Sequence, residues 1–80
     1  MRHVTLYTKD GCHLCEAAEA LLARLAAEYP LTLTRVDIGA DEALLARYGE
    51  RIPVLHVGEL ELAAPISEFK LRRALARGMV

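Results

Sequence analysis

The sequence predicts an α/β fold of order β-α-β-α-β-β-α, a four-stranded mixed sheet flanked by helices. Three observations carry this. Short β-rich runs alternate with runs whose apolar residues recur at helical spacing. Turn-forming residues (Pro30, Gly39, Gly49 and Gly58) fall between those runs. The only two cysteines of the 80 residues, Cys12 and Cys15, sit where the first strand run gives way to the first helical run. A chain of this length supports one domain, residues 1–80, with a modest core.

The first strand is Val4-Thr5-Leu6-Tyr7-Thr8. Val4 and Leu6 point one way, Thr5 and Tyr7 the other, as suits a central strand covered on both faces. The first helix is expected from His13 to Glu28. Leu14, Ala18, Leu21, Leu22 and Leu25 form its apolar face, and Tyr29-Pro30 ends it. Leu31 to Ile38 reads as the second strand, with Leu31 and Leu33 on one face and Val36 and Ile38 on the other. A bulge or an early strand end accounts for that switch. Strand, helix and strand in this order imply a right-handed parallel crossover.

Gly39-Ala40 turns the chain. Asp41 caps a short helix through Tyr48, and Gly49 is placed for a left-handed stop. Val54 to Val57 is the third strand. Gly58-Glu59 makes a tight turn into a fourth, Leu60-Glu61-Leu62, with the leucines inward and the glutamates in water. Ser67 caps a last helix through Arg77, whose narrow apolar face is Leu71, Ala74 and Leu75, and Gly78 ends it.

Hydrophobic residues make up 54% of the chain and charged residues 26%, a globular composition rather than a disordered one. The formal net charge of −1 gives no electrostatic support to a nucleic-acid or anionic-membrane partner. No apolar run approaches the ~20 residues of a membrane span. No signal-peptide core follows Met1, so the cytoplasm is the expected compartment. There a transient, catalytic disulfide is at home and a permanent structural one is unusual.

Residues i and i+3 at a helix start share a face, so the two α-carbons can approach the roughly 5–6 Å that a disulfide needs. Cys12 at the helix start meets unpaired N–H groups and the positive end of the helix dipole, which favour the nucleophilic thiolate. Cys15, a turn further in, is the more shielded. An exposed attacking thiol and a covered resolving thiol are what thiol–disulfide exchange requires.

Tyr7-Thr8-Lys9-Asp10-Gly11-Cys12-His13-Leu14-Cys15 resembles the glutaredoxin pattern of Tyr, small polar residue, Lys, two variable residues and Cys-x-x-Cys. Arg51-Ile52-Pro53-Val54 resembles that family's second signature, a β-branched residue followed by a cis-proline. The resemblance implies the glutaredoxin form of the thioredoxin fold, and a dithiol oxidoreductase acting on a disulfide-bearing protein or on glutathione. It implies Cys12 as nucleophile, Cys15 as resolving thiol and no tightly bound cofactor, with glutathione as a candidate reductant and a monomer as the working form. It also places Ile52 and Pro53 against the substrate chain, with the Ile52 backbone free to pair with it. Lys9 matches the family lysine, which would favour the Cys12 thiolate and attract a carboxylate. His13 stands where the family has proline and, protonated, would stabilise the same thiolate. Arg51 is a candidate for a substrate carboxylate. Tyr7 reads as packing, His56 as a hydrogen-bonded structural histidine, and Asp37 as a solvated strand end.

Glutaredoxins carry Gly-Gly and then Asp into the last helix to hold the glutamyl end of glutathione. Here the stretch is Ala63-Ala64-Pro65-Ile66-Ser67-Glu68, which lacks glycine's freedom and loses one N–H to proline, while the free N–H groups behind Ser67 could still donate to a carboxylate. Two alternatives stand beside the redox reading. One is a zinc or iron–sulfur carrier, with the metal or cluster shared across a dimer because one Cys-x-x-Cys supplies only two ligands. The other is a binding module whose cysteines are redox-inert.

Overall fold

The computed structural model describes residues 2–77. Its elements are β1 (Arg2–Thr8), α1 (His13–Leu25), β2 (Leu31–Asp37), a single 3-10 turn (Ile38–Ala40), α2 (Glu42–Tyr48), β3 (Val54–Val57), β4 (Leu60–Ala63) and α3 (Glu68–Ala76). The strands form one sheet in the order β2-β1-β3-β4. β2 runs parallel to β1, and the β1–β3 and β3–β4 pairs are antiparallel. The expected mixed sheet and element order are both present.

Burial explains why β1 is central. Val4 and Leu6 are fully buried on the face that α1 and α3 cover, packed with Leu22, Leu25, Leu55, Leu71 and Leu75. Removing that apolar area from water is the main stabilising contribution, at about 25 cal/mol per Å². The short α2 covers only part of the opposite face, where Ile38, Tyr48 and Val54 form a second, smaller cluster. The caps are the expected ones: Asp41 accepts from the Leu44 N–H at 3.0 Å and Ser67 from the Lys70 N–H at 3.3 Å.

Several boundaries differ from expectation. α1 ends at Leu25 rather than Glu28, and the chain continues as turns in which the Ala26 and Tyr29 N–H groups bond Leu22 O and Leu25 O. Leu14 leaves the core face: it is 58% exposed, because the start of α1 borders an open groove instead of the sheet. β2 carries no bulge. Its register with β1 is unbroken from Arg2↔Leu31 to Thr8↔Asp37, and the strand ends one residue early, where Asp37 Oδ1 accepts the Gly39 N–H at 2.8 Å. Ile38 is therefore buried from a turn, not from a strand face. Gly49 does not adopt a left-handed stop; its φ is −51°. Glycine suits that position for space, because a Cβ would stand 2.5 Å from Leu45 O. β4 extends one residue further, to Ala63, and α3 ends at Ala76, with Arg77 as its cap. Gly78, expected to end that helix, lies outside the described residues.

Candidate redox site

β1 delivers the chain to the site through the turn Lys9-Asp10-Gly11. The Cys12 N–H bonds Lys9 O at 3.3 Å, and Gly11 has a φ of 78°, a left-handed angle that glycine adopts without strain. Cys12 is the N-cap of α1, and its Sγ accepts the Cys15 N–H at 3.1 Å. The position usually held by Ser, Thr, Asp or Asn is held here by sulfur. In the reduced protein the same N–H and the helix dipole would favour thiolate over thiol. Cys15 lies one turn on, 2% exposed, while Cys12 is half-buried. The two are joined as a disulfide, their α-carbons 5.2 Å apart.

The surroundings of the start of α1 are unlike on its two sides. Next to Leu14 and Pro53 runs a groove of about 330 Å³ walled by Leu14, Leu21, Pro53, Pro65 and Ile66. The charges on its lining, Arg24 and Glu68, are 3.3 Å apart and neutralise each other. Arg72 also holds Glu68, at 3.0 Å. Its hydrogen bond, and then that from Arg24, keeps the Glu68 carboxyl below the usual carboxylate range. On the other side Cys12 lines a cavity of about 70 Å³ whose walls are polar: Thr8, Lys9, Asp10, Glu16, Glu19 and Arg35. Arg35 of β2 reaches Glu19 of α1 there as an ion pair.

The structure brings some of the expected residues to the cysteines and sends others away. Lys9 lines the cavity with Cys12. Pro53 is buried at the groove, and the Ile52–Pro53 and Ala64–Pro65 peptides are both cis. His13 turns to solvent, its side chain 95% exposed and 3.5 Å from Glu16. The Ile52 N–H is not free. The chain stays coiled after α2, so the N–H groups of Arg51 and Ile52 both bond Tyr48 O, at 2.8 and 3.1 Å. Of the two backbone groups expected to meet a substrate, that leaves the Ile52 carbonyl.

Arg51 faces away from both the groove and the cavity, bonding Glu61 at 2.6 Å with its guanidinium 5.8 Å from the centre of the Tyr48 ring. His56 bonds the other Glu61 oxygen at 3.0 Å and lies 3.4 Å from the Tyr48 hydroxyl. The hydrogen bond from His56, and then that from Arg51, holds the Glu61 carboxyl below the usual range. Tyr7 stacks on Tyr48 with ring centres 4.6 Å apart. In the stretch before α3 the Ala64 N–H bonds Arg51 O at 3.4 Å and Pro65 has none.

Three lining elements escaped the sequence reading: the Arg35–Glu19 pair, the outward Leu14, and the Pro65-Ile66 wall. One signal was available. Glu19 is four residues after Cys15 and shares its helical side. Among the described residues no group of three or more His, Cys, Asp or Glu side chains could hold a metal ion. No described helix is long and apolar enough to cross a membrane.

Comparison with known proteins agrees with this geometry. The family model for the glutaredoxin-like domain (DUF836) matches residues 3–76. The crystal structure of XcR50 from X. campestris is 39% identical, covering 92% of this chain and 96% of its own, with a TM-score of 0.79. Ne2328 from Nitrosomonas europaea is 29% identical, over 90% of this chain and 88% of its own, with a TM-score of 0.78. Oxidised thioredoxin O2 from Arabidopsis thaliana shares the fold at 18% identity, over 96% of this chain and 74% of its own, with a TM-score of 0.71. No curated protein matches the chain. The family match and a Cys12–Cys15 pair at disulfide distance support a thiol redox role. The chain belongs to the glutaredoxin-like domain family, DUF836, and has the thioredoxin fold.

Proposed function

We propose that the protein is a dithiol–disulfide oxidoreductase that reduces or exchanges the disulfides of other proteins. The observation that carries this is the asymmetry of the pair: a half-exposed Cys12 with its sulfur on an N-cap hydrogen bond, joined to a Cys15 that is 2% exposed. In the reduced protein the Cys12 thiolate attacks one sulfur of a substrate disulfide. A Cys12–substrate bond forms, the substrate S–S bond breaks, and the leaving thiolate takes a proton from water. Cys15, having lost its own proton, then attacks Cys12 Sγ. That step releases the second substrate thiol and leaves the Cys12–Cys15 disulfide, so two electrons have passed to the substrate. A thiol reductant, either glutathione or a dithiol reductase, reverses it.

The groove favours an extended, apolar protein segment over glutathione as the resting partner. Its walls are Leu14, Pro53, Pro65 and Ile66, its charges are mutually satisfied, and in the stretch before α3 the Ala64 N–H is already bonded and Pro65 has none. Cytoplasmic, monomeric action with no tightly bound cofactor completes the reading.

Mass spectrometry of the protein equilibrated in glutathione buffers of graded poise tests it. We expect an intramolecular Cys12–Cys15 disulfide with a defined midpoint. Cys12→Ser should lose exchange, by at least about a thousandfold, as removal of an acting nucleophile does. Cys15→Ser should accumulate a mixed disulfide on Cys12. Full activity in Cys12→Ser sinks the reading.

A further inference from the structure

We propose that Arg35 and Glu19 are positioning residues that set the acidity of Cys12 by opposing each other across the cavity beside it. The inference deepens the thiol–disulfide reading and rests on it.

Arg35 is out of place by pattern. It is the β1-register partner of the fully buried Leu6, in a parallel pair whose partners share a face. On β2 that face otherwise carries Leu31 and Leu33, and it turns toward α1. The guanidinium is accommodated because Glu19 of α1 meets its Nε with an oxygen that is itself buried. Cys12 lines the same cavity of about 70 Å³. Helical spacing puts Glu19 on the side of α1 that Cys12 and Cys15 occupy, so the carboxylate stands below the dithiol rather than in open solvent.

The charged groups around Cys12 are Lys9 and Asp10 from the turn, His13, Glu16 and Glu19 from α1, and Arg35 and Asp37 from the end of β2. His13 and Glu16 are mostly exposed and pair with each other. Glu19, 31% exposed, is the more enclosed of the other pair and Arg35, at 59%, the less; water screens both less than it screens His13 and Glu16. A cation close to a thiol favours the thiolate, and an anion opposes it. As an ion pair the two nearly cancel at Cys12. Take away Glu19 and an uncompensated guanidinium remains; take away Arg35 and an uncompensated carboxylate remains. A lower Cys12 pKa stabilises the reduced protein and raises the disulfide's potential.

An inward charge on an edge strand also discourages edge-to-edge pairing. That role predicts changes in stability or association for either substitution. It does not predict opposite movements of a thiol.

The test is the pH profile of Cys12 alkylation by iodoacetamide in the reduced full-length protein, with Cys15→Ser in place to isolate one thiol. Glu19→Gln should lower the Cys12 pKa by about one unit and Arg35→Gln should raise it by about one, each roughly tenfold in thiolate fraction on the acid limb. Arg35→Lys should return the profile to that of the parent, and the Glu19→Gln/Arg35→Gln double variant should fall close to it. With Cys15 restored, the midpoint potential should rise in Glu19→Gln and fall in Arg35→Gln.

Shifts of the same sign in both variants, or none in either, overturn the proposal. If Arg35→Gln fails to fold, Glu19→Gln decides the matter alone, since only a downward shift supports it. The two readings fail separately. Wild-type protein that exchanges with a defined midpoint while Cys12 is indifferent to both substitutions removes this inference only. Wild-type protein that forms no disulfide at any poise removes the proposed function, whatever the thiol's acidity.

Discussion

The start of α1 stands between two walls made of different material, and Cys12 lines one of them. On the Pro53 side, Leu14, Leu21, Pro65 and Ile66 offer apolar surface, and the charges there, Arg24 and Glu68, hold each other. On the β2 side, Thr8, Lys9, Glu16, Glu19 and Arg35 offer charge and almost no apolar surface in a space about a fifth as large, 70 against 330 Å³. An apolar wall discriminates by shape and by water released, but it does not hold a proton. A charged wall acts on the protonation of sulfur but grips an uncharged side chain poorly. On the proposed function, substrate affinity belongs to one flank and thiol acidity to the other, and substitutions should separate the two.

The largest separable effect is expected at Leu14. It is 58% exposed, so replacing it should leave unfolding nearly unchanged. Leu14→Ser removes most of an apolar contact, so KM for a protein disulfide should rise about tenfold, or about 1.4 kcal/mol of binding, just under the ~1.5–3 kcal/mol of fully burying one leucine. The Cys12 alkylation profile should not move; a shifted profile with unchanged KM would reverse the assignment of the flanks.

A smaller effect is expected from the opposite wall. Lys9 is exposed and screened by salt. Lys9→Ala should cut the thiolate fraction of Cys12 by about threefold near neutral pH at low ionic strength, less in high salt, with KM for an apolar protein substrate unchanged. Rapid-mixing alkylation at two salt concentrations reads both.

The smallest effect on exchange should come from Glu61, which lies on neither wall. Its carboxyl is held below 4.5 in the folded protein by His56 and then Arg51. A depressed folded pKa contributes stability that is present above the unfolded value and lost as pH falls through the folded one. Thermal melts of wild type and Glu61→Gln should therefore differ most above pH 4.5 and converge in stronger acid, while exchange rates stay equal at every pH. Equal melts throughout would make the His56–Glu61–Arg51 cluster energetically silent, as exposed pairs often are.

The fold was legible wherever a local pattern was enough. The alternating strands and helices, the caps at Asp41 and Ser67, and Ala18, Leu21, Leu22 and Leu25 as the inward stripe of α1 all follow from neighbours a few residues apart. Leu14 belongs to the same stripe by spacing and still lies outside the core, because periodicity says which side of a helix a residue occupies, not what faces that side. Ile52 shows the same limit for hydrogen bonds. The signature at Pro53 is visible in the sequence, but whether the Ile52 N–H is free depends on how the chain leaves α2.

The element order and the placement of the dithiol at a strand-to-helix junction follow from local sequence, since both rest on short-range backbone preference and on spacing. Local sequence also put sulfur at the helix start, where unpaired N–H groups are a property of any helix. Which residues wall in Cys12 and the start of α1 follows instead from how distant segments pack together. Arg35 meets Glu19 because β2 lies beside β1 with Leu6 opposite Arg35, and Pro65 meets Leu14 because the chain before α3 returns past the start of α1. Contacts between residues so far apart in the chain are set by the register of the sheet and the packing of the helices on it, which local sequence does not encode.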